Sequence, residues 1–257
     1  MLAIRSLIFN ILFYIVLILC MVLGLPSFFA GRKGVFWTAR LWTRITLWMF
    51  EKICGVRYEF RGIGHLPKGG VIVAAKHQSF WETFALSLHL HDFTFILKRE
   101  LTWLPFFGWY LKVGEMIAID RASGRSALRQ VVRRSKPVLD ERRQLVIFPE
   151  GTRRKPGAPP AYKYGVAHIY TANSAPCVPV ALNSGLFWPR RSFLRRPGTV
   201  VVEFLEPIPP GMGREEFFEL LQKRIEVATQ RLVDEALARD PSLSDVVYKP
   251  EPSEAAL

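Results

Sequence analysis

Apolar residues are densest at the start of the chain. From Leu7 to Leu25 there is no charge, and Asn10 is the only strongly polar side chain. Roughly 19 residues at ~1.5 Å rise give ~28 Å of helix, close to the ~30 Å hydrocarbon core of a bilayer. Phe36, Trp37, Leu41, Trp42, Ile45, Trp48 and Met49 then recur at near-helical spacing, with Arg40 and Arg44 between them. That pattern predicts an amphipathic helix suited either to the headgroup boundary or to a protein core. From about Gly62 short β-rich runs alternate with helical stretches. Strands are expected at Val71–Ala75, Thr94–Leu97, Met116–Ile119, Leu145–Phe148, Val178–Leu182 and Val200–Leu205. The unbroken apolar character of Val71–Ala75 and Leu145–Phe148 is that of strands buried on both faces. Helices are expected at Glu82–Leu90, Gly124–Arg143, Tyr164–Thr171 and Arg214–Arg239, the last stopped by Asp240-Pro241. The alternation predicts an α/β fold: a mostly parallel central sheet flanked by helices, with an N-terminal membrane-associated helical segment. Residues 1–50 are expected to form the anchor and amphipathic helix, 51–240 the main domain, and 241–257 a loose tail.

Composition narrows the function classes. Of 257 residues 50% are hydrophobic and 13% aromatic, which excludes a disordered scaffold. Mean hydropathy is +0.15 despite 22% charged residues, so the apolar residues are concentrated. The apolar run is too long, and Phe28 and Phe29 too bulky, for a cleaved signal peptide, which favours a retained anchor. Arg32, Lys33, Arg40 and Arg44 follow the run while Arg5 alone precedes it, which places the body on the cytoplasmic face of the cell inner membrane by the positive-inside bias. The net charge is +13, with arginine pairs at 133–134, 142–143, 190–191 and 195–196. No nucleic-acid module surrounds them, so anionic membrane lipid is the expected partner and nucleic acid is not. Cys20, Cys54 and Cys177 are too few and too scattered for a disulfide framework or a CxxC ligand pair.

Candidate chemistry falls where strands end, the usual place for ligand sites in open α/β sheets. In Lys76-His77-Gln78-Ser79-Phe80-Trp81-Glu82-Thr83, His77 follows a strand and Ser79-x-x-Glu82 reads as a helix capping box with Ser79 as N-cap. Residues five apart on one regular helix diverge by ~140°, so His77 and Glu82 meet only if His77 precedes the helix and Glu82 lies in its first turn. A histidine steered by a carboxylate is a general base; alternatively, Glu82 only completes the capping box. Metal is not expected. In His89-Leu90-His91-Asp92 the i, i+2 spacing turns the rings apart on a helix, and there is no HExxH. His65 and His168 read as structural.

The segment from Val71 to Leu182 resembles the glycerolipid acyltransferases, the family of 1-acyl-sn-glycerol-3-phosphate acyltransferases. Their first motif, His-x-x-x-x-Asp, is similar to His77 through Glu82, with glutamate in place of aspartate. Gly114–Arg121 resembles the second, Phe148-Pro149-Glu150-Gly151-Thr152-Arg153 the third and Val178-Pro179-Val180 the fourth, all in the family's order, and Leu104–Gly108 resembles a stretch between the first two. The resemblance implies a membrane-bound enzyme in which His77 and Glu82 are catalytic. Lys98, Arg121, Glu150, Gly151, Thr152 and Arg153 bind substrate, with Glu150 orienting Arg153 or a loop amide. It implies acyl transfer from an acyl thioester, carried by acyl carrier protein or coenzyme A, to the hydroxyl of lysophosphatidic acid, giving phosphatidic acid. Beyond that co-substrate no cofactor is implied. Other acceptors, such as a lyso-ornithine lipid, and a catalytically silent lipid-binding protein are the competing expectations. Arg153 offers a planar fork of donors to phosphate oxygens, and Ser79 lies in no GxSxG elbow that would make it a nucleophile.

Overall fold

The apolar N-terminal run folds as α1 (Leu2–Leu23), and a short turn at Leu25–Ala30 reverses the chain into α2 (Gly31–Cys54). Gly55, at φ +72°, caps α2 in the left-handed region that glycine tolerates best. The computed structural model describes residues 1–120 and 124–250. Seven strands follow: β1 (Val56–Arg61), β2 (Val71–Ala75), β3 (Phe93–Lys98), β4 (Ile117–Ile119), β5 (Gln144–Ile147), β6 (Cys177–Leu182) and β7 (Gly198–Phe204). Between and after them lie α3 (Trp81–Ala85), α4 (Phe107–Val113), α5 (Arg125–Asp140), α6 (Gly165–Ala172) and α7 (Arg214–Arg239). The strands make one sheet in the order β1-β7-β6-β2-β5-β3-β4, parallel throughout except where β6 meets β7. The mostly parallel α/β sheet expected from the sequence is therefore the architecture observed.

Strands β2, β5 and β6 are buried along their whole length, which explains their lack of polar alternation. Alternate β2 residues serve opposite layers. Val71, Val73 and Ala75 pack toward α1, α2 and α3, while Ile72 and Ala74 pack toward α5, α6 and the first half of α7. Arg32 of α2 and the buried Arg143 share Asp92 and Glu115, tying the helical hairpin to the sheet.

Several expectations change. β1 and α4 have no counterpart among the predicted elements. The expected helix at Glu82–Leu90 is a single α-turn, α3, continued by a 3-10 turn at Leu86–Leu88. The expected boundary at residue 50 falls inside α2, and the aromatic stripe of that helix divides. Phe36, Trp42 and Met49 are buried against the body, whereas Trp37 and Trp48 are each 61% exposed. The segment after α7 is not loose as far as it is described: Pro241–Val246 forms a 3-10 turn that buries Leu243, and the Tyr248 amide donates to the Pro156 carbonyl.

Candidate active site

His77 stands two residues beyond β2 and at the C-terminal end of the neighbouring β5, the two strands that place the site. Its backbone is held on both sides. The amide donates to Glu150 Oε2 at 3.2 Å, and the carbonyl accepts from the Arg154 amide at 2.8 Å. The ring lies stacked on Phe148 with centroids 4.1 Å apart, and Nδ1 meets Glu82 Oε1 at 2.9 Å.

Glu82 is fully buried in the first turn of α3. Oε1 also accepts the backbone N–H groups of Gln78 and Ser79, both at 2.7 Å, and Oε2 accepts the Ser184 hydroxyl at 2.7 Å. Half of the expected capping box is therefore present, since Glu82 reaches back to the Ser79 amide. The other half is displaced. Ser79 precedes the N-cap, which is Phe80, and its hydroxyl accepts from the Trp81 amide. Capping and ring steering are not alternatives here, because one carboxylate oxygen does both. A carboxylate accepts hydrogen bonds, so the ring proton belongs on Nδ1 and the lone pair on Nε2.

His77 is 14% exposed, and the exposed part opens on a cavity of about 480 Å³. The walls are apolar side chains of α1, α2, α3 and β3, including Leu17, Ala39, Trp42, Phe84 and Phe95, and the rim carries Lys98, Gly151, Thr152 and Arg153. Expected substrate-binding residues thus fall into three groups. Lys98, Gly151, Thr152 and Arg153 share the histidine's cavity, with Lys98 also paired to Glu100 at 2.9 Å. Arg121 lies outside the described residues. Glu150 does not line the cavity, and of its two expected roles it takes the second, holding a loop amide, that of His77. It is 1% exposed, and its carboxylate is spent on the His77 amide and on Lys76 Nζ at 3.0 Å. Burial pushes the Glu150 carboxyl above its ordinary range, against the pull of Lys76.

Three partners of this site were not among the expected residues. Lys76, itself buried, bridges Glu150 and, at 2.6 Å, Glu226 of α7, which also accepts the Tyr162 hydroxyl at 2.7 Å. Ser184 follows the C-terminal end of β6, so the strand-end rule that singles out His77 points to it as well. Glu226, far along a helix, carries no local signal at all.

Comparison with known proteins places the chain in a family. A family model described as Acyltransferase matches residues 57–183, from β1 to just past β6. A 1-acyl-sn-glycerol-3-phosphate acyltransferase of Pseudomonas aeruginosa is 33% identical over 95% of this chain and 96% of its own length. The Helicobacter pylori protein of the same name is 30% identical over 69% of this chain and 75% of its own. Among solved structures, the 1-acyl-sn-glycerophosphate (LPA) acyltransferase PlsC from Thermotoga maritima superposes with a TM-score of 0.76. That match covers 90% of this chain and 98% of the other at 22% identity, a likeness of fold. The chain is an acyltransferase. It belongs to the family of 1-acyl-sn-glycerol-3-phosphate acyltransferases.

Proposed function

We propose that the chain transfers an acyl group from a thioester to the free hydroxyl of lysophosphatidic acid, giving phosphatidic acid. The observation that carries this is the shared cavity: an imidazole with Nδ1 bound to Glu82 and the Arg153 guanidinium line one largely apolar chamber. A lysophosphatidate has a phosphate for Arg153, a hydroxyl for His77 and an acyl tail, and the donor's chain occupies the chamber. Nε2 removes the hydroxyl proton as the oxygen attacks the thioester carbonyl. Glu82 stabilises the imidazolium. The C–S bond then breaks and the departing thiolate takes the proton from Nε2. No covalent acyl-enzyme is needed. The thioester is carried by coenzyme A or by acyl carrier protein, and both present phosphate to a basic surface.

The enzyme works from the cytoplasmic side of the inner membrane, with α1 lying in the membrane plane rather than crossing it. By length and composition α1 is apolar enough to span. One side of it is nevertheless fixed to the body: Phe9 and Phe13 are buried, Asn10 pairs with Arg195 at 2.7 Å, and the Tyr110 hydroxyl donates to the Met21 carbonyl. The opposite side exposes Ile4, Leu7, Ile11, Ile15 and Ile18, continuous in character with Trp37 and Trp48 of α2. A helix clamped along its length with one apolar side is built to lie at an interface.

Purified chain, an acyl thioester and a panel of lysolipids test the reading. Transfer to lysophosphatidic acid is expected, and His77→Ala should abolish it while leaving lysolipid binding intact. Transfer only to acceptors without phosphate, such as lyso-ornithine lipid, would move the assignment to another lysolipid. No transfer to any acceptor would make the chain a silent lipid-binding protein.

A further inference from the structure

Residues 189–197 read Pro-Arg-Arg-Ser-Phe-Leu-Arg-Arg-Pro, two arginine pairs bracketing an apolar centre between prolines. The segment connects β6 to β7 and lies against α1. The Asn10 side-chain amide donates to the Phe193 carbonyl at 3.0 Å, and the Arg195 amide donates to Ser6 Oγ at 2.9 Å. Arg195 is the inward clasp. Its buried guanidinium binds Asn10 Oδ1 and the carbonyls of Ser192 and Leu194, and it stacks over Trp188 with its central carbon 4.3 Å from the ring centroid. Burial lowers its pKa to about 10.

The other side of the segment has the opposite character. Phe193 is 48% exposed, beside the α1 residues that expose Leu7 and Ile11. Arg191 is exposed, and Arg190 donates at 2.7 Å to the carbonyl of Arg153, the cavity-rim arginine. Burial first, then repulsion from Arg191, Arg153 and Arg154, pulls the Arg190 guanidinium below its ordinary value. Among the described residues neither Arg190 nor Arg191 forms an ion pair with a carboxylate, whereas Arg196 faces Asp245 at 3.9 Å. Two unpaired cations close in sequence to one exposed phenylalanine, on the flank of an apolar helix, are complementary to an anionic lipid surface.

We propose that 189–197 is a second lipid-contact element, in which Phe193 enters the headgroup layer and Arg190 and Arg191 hold lipid phosphates beside the rim of the active site. It rests on the reading of α1 as the membrane side of the molecule. It adds charge selectivity to that face, and it ties the headgroup contact to Arg153 through the Arg190 hydrogen bond.

Cosedimentation of the full chain with vesicles of phosphatidylcholine alone, and of phosphatidylcholine mixed with phosphatidylglycerol, tests it. Arg191→Glu reverses one charge and should weaken partition onto the anionic vesicles by about twentyfold, with little change on the neutral ones. Arg191→Lys should retain wild-type partition. Phe193→Ser should weaken both. Ile15→Glu on α1 should also weaken both, and its failure to do so would strike the α1 reading separately. Wild-type partition of Arg191→Glu onto anionic vesicles overturns the proposal. If the same variant instead raises the KM for an acyl-carrier-protein thioester in detergent, the patch belongs to the donor protein.

Discussion

Ser184 donates a 2.7 Å hydrogen bond to Glu82 Oε2 across 102 positions of sequence, joining the turn after β6 to the first turn of α3. Because the other oxygen of Glu82 holds His77, Ser184 fixes the rotation of the carboxylate and through it the plane of the imidazole. It is a positioning residue that never meets the substrate. Ser184→Ala leaves one buried carboxylate oxygen without its donor, a loss of about 1.5–3 kcal/mol for a hydrogen bond to a charged group. The expected outcome is a kcat lower by roughly tenfold or more, with KM for the lysolipid little changed. A KM effect with kcat preserved would show that Ser184 serves packing alone.

The length of Glu82 is as important as its charge. Its oxygens sit 2.7–2.9 Å from four donors: the His77 ring, the Gln78 and Ser79 amides and the Ser184 hydroxyl. Removing one methylene withdraws the carboxylate by about 1.5 Å, the length of a carbon–carbon bond. Contacts at these distances then exceed hydrogen-bond range. Glu82→Asp should therefore be nearly as damaging to kcat as Glu82→Gln, although aspartate is the residue of the family's usual motif. Steady-state kinetics of the two variants side by side decides it, and full activity of the aspartate variant would mean that α3 shifts to follow the shorter side chain.

Lys76 holds together three segments that must stay in register for His77 to keep its place. It is 2% exposed and bridges Glu150, which grips the His77 amide, to Glu226 of α7. Lys76→Met leaves Glu150 buried without a counter-charge, a change worth about 3–5 kcal/mol of stability. Denaturant unfolding should show that loss, and Lys76→Met combined with Glu150→Gln should recover much of it, because the amide oxygen of glutamine still accepts from the His77 amide.

The parts of this molecule that were legible in the sequence are those with local causes. β2, β5 and β6 announce themselves as apolar runs, and α7 is read at its observed bounds because its apolar spacing and Asp240-Pro241 stop are both local. β1 escaped because Val-Arg-Tyr-Glu-Phe-Arg is an edge strand with its polar residues outward, too weakly apolar to stand out beside the membrane-like helices before it. α4 escaped because seven residues rich in aromatics give no period to count. At the site, His77 and Glu82 share one short segment, so their meeting follows from strand, turn and helix start. Ser184 and Glu226 reach the same place only through the sheet order, which puts β6 beside β2, and through α7 packing across the sheet. Glu150 was singled out for the right motif, but its burial, and hence its structural duty, is a tertiary fact.

Ala39 of α2 lines the cavity together with Phe84 of α3 and Phe95 of β3. Ala39→Phe places a ring inside this chamber of about 480 Å³. Turnover of long-chain acyl thioesters should fall several-fold while short-chain donors are little affected, read as kcat/KM across a donor series. A uniform loss over all chain lengths would mean that the acyl chain lies elsewhere.

Stability should fall as the solution is acidified from neutrality, and His89 is one named cause. The ring is half-buried against Phe60, with centroids 4.2 Å apart, and burial holds its pKa below the ordinary 6.5. His168 is shifted the same way, by burial and then by Arg214. For a base whose folded pKa is depressed, the unfolded chain binds the proton first as the pH drops. Stability is therefore complete above about pH 6.5 and is lost progressively below it, until the folded state also takes up the proton. His89→Phe keeps the ring contact with Phe60 and removes the titration. Thermal melts between about pH 7.5 and 5.5 should show a shallower decline of Tm for the variant than for the parent chain. Parallel curves for the two proteins would show that His89 titrates equally in the folded and unfolded states.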